Sequence, residues 1–333
     1  MKKSGKDAKV LILKRSDVER LVDMKSAIKA VENVFREYGL NKIAMPPKIY
    51  LELDKYSGDF RAMPAYVEKL NKCAVKWVNV HPKNNKAGLP SVMAVIVLSD
   101  PRNGLPLCIM DGTYITNMRT GAAGGVAAKY LARKNSRSVA MVGCGVQAQM
   151  QLAALKELFK ITEVRFWGLA DRSVRDFILK MKKTGLRFKR CKSVKECVFS
   201  ADIIVTTTPS RKPIVKIEWL KKGVHINAIG ADARGKQELD PKILKNAKVV
   251  VDSWEQASHS GEINVPCEKG SITKKDIYAD IGEIVSGRKR GRVKESEIIV
   301  FDSTGLAIQD VAVADLVYKK AAAKKIGSWI KLL

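Results

Sequence analysis

The sequence is poor in the residues that build metal centres and disulfide frameworks, with three histidines and six cysteines among 333 residues. His81, His225 and His259 lack the spacing of metal ligands, and Cys73, Cys108, Cys144, Cys191, Cys197 and Cys267 contain no C-x-x-C pair. No metal site is expected, and the cysteines read as reduced thiols. Long apolar runs are also missing: no stretch approaches the roughly 18 uncharged residues of a membrane helix. Residues 1–7 are followed by too few apolar residues for a signal peptide. The expectation is a cytoplasmic protein without a membrane partner. Acidic residues are scarce as well, 34 against 61 basic ones, for a net charge of +27. Such a surface attracts polyanions at low salt. The basic residues nevertheless fall in short groups such as Lys319-Lys320 and Arg288-Lys289-Arg290, rather than on one helix with interleaved aromatics. That pattern predicts a solvated lysine-rich surface and no specific nucleic-acid partner.

What is present is a folding composition, 46% hydrophobic and 29% charged, in a chain long enough for two domains. Residues 10–13 read as a strand, residues 16–19 as a helix start, and Ala27, Ile28, Val31, Val34 and Phe35 recur at helical spacing. Between residues 46 and 110, β-rich runs are separated by Pro, Gly, Asn and Asp turns, which predicts an antiparallel sheet flanked by helices. After about residue 119, strands (138–142, 163–167, 203–207, 224–229, 249–252) alternate with helices (148–159, 173–183). Alternation of that kind implies a doubly wound parallel sheet. Residues 312–333 read as helical. The predicted class is α/β, a Rossmann-type domain of residues 119–311 inserted in an α+β domain of residues 1–118 plus 312–333.

The clearest motif is Gly143-Cys144-Gly145-Val146-Gln147-Ala148, which leaves the apolar strand Ser138-Val139-Ala140-Met141-Val142 and opens a helix. This is G-x-G-x-x-A in its required setting. The first glycine permits the tight turn, the second lets backbone approach a pyrophosphate, and Ala148 lets helix and strand pack closely. The next strand ends at Gly168, where an NAD-binding strand carries an acid, and Asp171 and Arg172 come later. NAD and NADP therefore both stay open.

Four charged residues sit where charge is expensive: Lys76 in Ala74-Val75-Lys76-Trp77-Val78, Arg61 before Ala62-Met63-Pro64, Arg119 before a small-residue run, and Asp232 after Ala228-Ile229-Gly230-Ala231. Asp232 follows the carboxyl end of a parallel strand, where ligands of doubly wound sheets bind, and is a catalytic candidate on that ground. His225, inside Val224-His225-Ile226, reads as a core histidine.

Together with Met45-Pro46-Pro47-Lys48, Arg61-Ala62-Met63-Pro64-Ala65, Lys76-Trp77-Val78-Asn79, Arg119-Thr120-Gly121-Ala122-Ala123, Thr206-Thr207-Thr208-Pro209 and Phe301-Asp302-Ser303-Thr304-Gly305, these segments resemble the ornithine cyclodeaminase and mu-crystallin family, and within it the archaeal alanine dehydrogenases. The resemblance implies a homodimer in which the domain built from both chain ends serves substrate binding and dimerisation. It implies oxidative deamination of L-alanine with NAD as cofactor and NADP as the alternative, and ornithine cyclodeamination, ketimine reduction and non-catalytic dinucleotide binding as alternative functions. For cyclodeamination, Glu52 is the one acid on offer for a distal amine. By the same resemblance Arg61 and Arg119 bind the substrate carboxylate, and Lys76 and Asp232 are the acid/base pair. Arg119, Thr120, Gly143, Gly145, Val146, Gln147, Gly168, Leu169, Thr206, Thr207, Ser303 and Thr304 contact the dinucleotide.

Overall fold

The computed structural model describes residues 9–181 and 184–332. Residues 1–7, the expected helix end at Lys183 and the last residue, Leu333, lie outside the described residues. The chain divides into two compact units, one formed by the described residues up to Arg119 together with those from Leu306, the other by Thr120–Gly305.

The first unit is built on an eight-stranded sheet. Its strands are β1 (Lys9–Leu13), β2 (Ile43–Ala44), β3 (Ile49–Leu53), β4 (Gly58–Val67), β5 (Lys72–Val80), β6 (Val92–Ser99), β7 (Pro106–Asp111) and β16 (Ser328–Lys331). They lie in the order β16-β1-β7-β6-β5-β4-β2, and β3 also pairs with β4. The β1–β7 pair is parallel and the others are antiparallel. Helices α1 (Arg15–Leu21), α2 (Met24–Gly39) and α11 (Ala307–Lys324) belong to this unit. Asp23 caps α2 by accepting from the Ser26 N–H, and Ala27, Ile28, Val31, Val34 and Phe35 form its buried stripe. α11 packs on α2 and on β4, β5 and β6.

Two corrections to the sequence reading concern the C-terminal segment. Residues 312–333 are not one helix. Lys325 ends α11 in the left-handed region, Gly327 turns at φ +95°, and Ser328–Lys331 pairs antiparallel with β1 as an edge strand. The return to the first unit comes at Leu306 rather than residue 312, because α11 begins at Ala307 and its whole first turn is buried.

The second unit is a parallel eight-stranded sheet in the order β10-β9-β8-β11-β12-β15-β13-β14. These are β8 (Ser138–Val142), β9 (Glu163–Trp167), β10 (Arg187–Arg190), β11 (Ile203–Thr206), β12 (His225–Ala228), β13 (Lys248–Val251), β14 (Ile277–Asp280) and β15 (Ile299–Asp302). Helix α3 (Gly112–Leu131) carries the chain into this unit. It is followed by α4 (Val146–Leu158), α5 (Asp171–Met181), α6 (Val194–Val198), α7 (Pro241–Asn246), α8 (Trp254–Ser260), α9 (Asn264–Glu268) and α10 (Ile281–Val285). Winding reverses between β8 and β11, and ligands of such sheets bind in the crevice at that switch point, beyond the strands' carboxyl ends. His225 lies wholly buried in β12 with its ring against Asn227 (2.8 Å), and burial lowers its pKa to about 3, so it is a neutral core residue.

Candidate active site

Strand alternation decides where the first unit's cations lie. In β5, Ala74, Lys76 and Val78 face inward, where α11 packs, and Val75 and Trp77 face outward. In β4, Arg61 shares the inward face with Met63 and Ala65. Met63 pairs with Lys76 and Arg61 with Val78, so Arg61 and Lys76 are diagonal neighbours on one face.

Lys76 is 1% exposed and its Nζ lies 2.7 Å from Asp310 Oδ2. The contact is an ion pair without hydrogen-bond alignment, which leaves the ammonium with donors for another partner. Burial first, then the charge of Arg119, lowers the Lys76 pKa to about 7, while Asp310 acts in the opposite sense. Arg119 donates from Nε to Asp310 Oδ1 (3.0 Å) and from Nη1 to Gln309 (2.8 Å). One buried carboxylate thus serves two buried cations. Arg61 is held by Asp59 through Nε (2.7 Å) and Nη2 (3.1 Å) and stands over the Tyr50 ring.

Asp310, Gln309 and Asp59 join the cluster only in the folded chain. The available signal was an aspartate inside the apolar helical run Ala307-Ile308-Gln309-Asp310-Val311-Ala312-Val313, since a carboxylate there needs a cation. Lys48, in the Met45-Pro46-Pro47-Lys48 segment, lies near enough to Lys76 to help lower its pKa. Glu52, on β3, is exposed.

In the second unit, Gly143 ends β8 with φ +106°, and its N–H bonds Trp167 O at 2.8 Å. A Cβ on Gly143 would meet Thr207 Oγ1 at 2.6 Å. Gly145 caps α4 with no side-chain bond, and a Cβ there would meet nothing within 4 Å. The N-terminal amides of the 13-residue α4 therefore open onto free space, as a pyrophosphate cradle requires. Val146 is exposed, and Gln147 follows it on the first turn of α4. Thr206 is fully buried at the end of β11, and Thr207 N–H bonds Val142 O (2.9 Å), which ties the β11 exit to the glycine turn. Thr120 lends its carbonyl to Gln151 on α4 (2.9 Å).

The Ser303 and Thr304 hydroxyls both turn to buried Asp252, at 3.4 and 3.0 Å, and Gly305 N–H adds a third bond at 2.6 Å. Asp232 is partly exposed and paired with Lys236 at 2.5 Å. Behind it, Glu238 accepts from Thr208 N–H and Oγ1 (both 2.6 Å) and from Gly230 N–H (3.0 Å), and so clasps the exits of β11 and β12. Burial raises the Glu238 pKa to about 7. Gly168 ends β9 next to Leu169, which is 86% exposed. Among the described residues no group of three or more His, Cys, Asp or Glu is arranged to hold a metal, and the six cysteines are unpaired. No described helix is long and apolar enough to cross a membrane.

The profile of the ornithine cyclodeaminase/mu-crystallin family matches residues 8–325. The chain belongs to this family. It is 52% identical over 323 residues to an alanine dehydrogenase of Archaeoglobus fulgidus, covering 96% of this chain and 98% of that one. Among solved structures it is similar to an archaeal alanine dehydrogenase dimer with bound NAD, at TM-score 0.94 and 52% identity, covering 98% of this chain and 100% of that one. It is also similar to the Δ1-pyrroline-2-carboxylate reductase of Thermococcus litoralis in complex with NADH and L-proline, at TM-score 0.93 and 41% identity, covering 96% and 99%. The doubly wound sheet and the second sheet are thus those of a family of dinucleotide-dependent enzymes.

Proposed function

We propose that the chain is an NAD(P)-dependent oxidoreductase that deaminates L-alanine to pyruvate and ammonia and runs the reverse reductive amination. The observation that carries this reading is Lys76: a buried ammonium with one carboxylate neighbour and donors left over. A buried cation of that kind calls for a further anionic partner. An amino acid's carboxylate supplies one, and the planar forks of Arg61 and Arg119 suit it geometrically. Likeness to the Archaeoglobus fulgidus enzyme supports alanine among small amino acids.

In this reading the second unit holds the dinucleotide, with the pyrophosphate on the amides after Gly143 and Gly145 and the remainder along Thr120, Val146, Gln147, Gly168, Leu169, Thr206, Thr207, Ser303 and Thr304. When bound, the dinucleotide supplies the hydride acceptor. The chain's own residues do the rest. Arg61 and Arg119 fix the carboxylate, which orients the Cα–H. Lys76 Nζ, neutral in part near pH 7, takes the proton that the amine releases as the imine forms. Asp232 orients the amine and activates the water that converts the imine to the 2-oxo acid and ammonia.

Assembly as a homodimer belongs to the same reading. Val75, Trp77 and Val95 project from the sheet face opposite α11 and are 36–47% exposed, an apolar patch suited to a second copy of the chain.

The resemblance to the Thermococcus litoralis reductase favours one further reading, reduction of a cyclic imino acid. Incubation with L-alanine and NAD(P), with L-proline and NAD(P), and with L-ornithine separates the cases. Reduced dinucleotide with pyruvate from alanine is the expected result. Turnover of proline alone points to the cyclic imine, and proline from ornithine without net reduction to cyclodeamination. Dinucleotide binding without any turnover would leave a non-catalytic binding protein.

A further inference from the structure

The glycine at the end of β9 is imposed by its neighbour in the glycine turn. A Cβ built on Gly168 would meet Cys144 Sγ at 2.9 Å and Val174 Cγ2 at 3.1 Å. Cys144 is buried, its sulfur directed at Trp167 O (3.6 Å), and it cannot step aside as an exposed side chain would. The residue chosen inside G-x-G thus excludes the acid that would grip the adenosine ribose hydroxyls of NAD.

What faces that position instead is cationic. A cleft of about 430 Å³ is lined by Trp167, Gly168, Arg190, Cys191 and Lys192. β10 brings the two cations there: Arg190 pairs with Phe166 in register, and Cys191 N–H bonds Phe166 O at 2.9 Å. Lys192 makes no ion pair among the described residues. Arg190 contacts Asp171, in the first turn of α5, at 2.9 Å, with side chains 56% and 71% exposed. An ion pair so open to water is readily exchanged for a better one.

We infer that this cleft is a subsite for a phosphomonoester on the adenosine ribose, held by Arg190 and Lys192, so that NADP(H) binds more tightly than NAD(H). The inference rests on the dinucleotide reading of the second unit and narrows it. It also sets the chain apart from the two similar structures above, which carry NAD and NADH. A dianionic phosphate offers the guanidinium a bidentate partner that Asp171 matches in shape but not in charge.

Binding is measured by calorimetry and nicotinamide fluorescence on the full-length protein, with NADPH and NADH as ligands. NADPH is expected to bind about tenfold or more tightly, the difference worth one charge-assisted contact. Arg190→Ala and Lys192→Ala each lower the NADPH-to-NADH affinity ratio, and adenosine 2′,5′-bisphosphate competes better than AMP. Equal affinities, tighter NADH binding, or a ratio that neither substitution moves would overturn the inference and leave the dinucleotide reading standing. No binding of either dinucleotide would remove both. The double variant Cys144→Ala with Gly168→Asp, which makes room for the missing acid, is expected to shift the ratio toward NADH.

Discussion

Asp310 is the one carboxylate that holds charge on Lys76 against burial and the neighbouring Arg119. Lys76 titrates at about 7, and Asp310 works against the burial and the Arg119 charge that lower it. In the proposed mechanism the neutral amine is the proton acceptor, so kcat/KM for oxidation should rise as pH climbs through about 7 and level off above it. Asp310→Asn removes the negative charge that favours the ammonium, and the same limb should then move to lower pH. A pH series on both proteins checks this, and a limb that stays fixed or moves upward would show that another group sets it. Lys76→Ala should lower kcat/KM by about 10² to 10⁴, the usual contribution of a general acid/base, with dinucleotide affinity retained in a fluorescence titration. Of this cluster, the sequence discloses the cations and conceals their partner. Lys76 breaks an alternating apolar strand and Arg119 opens a helix, both local signals. Asp310 is 191 residues beyond Arg119 and farther still from Lys76, and only the sheet–helix packing brings it to them.

Among secondary-structure elements, the glycine turn separates what the fold needs from what a ligand needs. Gly143→Ala must adopt φ +106° and push a methyl into Thr207, so a loss of about 1–3 kcal/mol in unfolding free energy is expected. Gly145→Ala meets nothing in the protein. It should unfold near the wild-type temperature and still bind NADH and NADPH at least about tenfold more weakly, since in the proposed binding mode its methyl stands where the pyrophosphate approaches. Calorimetric melting paired with ligand titration reads both effects.

The clasp made by Glu238 is pH-sensitive. Burial raises its pKa and, further still, that of the Glu262 carboxyl beside it, so the folded pair holds a proton at a pH where the unfolded chain has released it near the ordinary glutamate value. Its stabilising contribution is therefore complete below that value and is lost as pH rises through about 7. Melting temperatures across that window should decline less steeply in Glu238→Gln. Legibility at this scale followed apolar content. The strands at 138–142, 163–167 and 203–207 stand out as buried apolar runs. β10 is Arg187-Phe188-Lys189-Arg190, a charged edge strand with no apolar alternation to announce it, and β16 is a four-residue edge after a helix rich in alanine. Edge strands need little hydrophobicity, because one side of each faces water.

For the whole molecule, the proposed association rests on the outward sheet face and the surplus of positive charge. Trp77→Glu places a charge in the centre of the apolar patch, and light scattering is expected to give a dimer for the unaltered chain and a monomer for the variant. The net charge of +27 should draw in anionic dinucleotides and 2-oxo acids, so their association rates should fall steeply as salt is added. Composition made the charge plain at once. The apolar patch was hidden, because Val75, Trp77 and Val95 read equally well as core residues until the alternation of β5 and β6 assigned them a side.

The first unit takes Lys76 from one end of the chain and Asp310 from the other, with the entire Rossmann sheet encoded between them. A ribosome therefore delivers the lysine long before its counter-ion emerges from the exit tunnel. During that interval the nascent β4–β6 sheet has no α11 to cover its inner face, and Lys76 lacks the carboxylate that Asp310 later brings, while Arg61 already has Asp59. The later-encoded sheet can close first, and the earlier-encoded one is completed only at the end of synthesis.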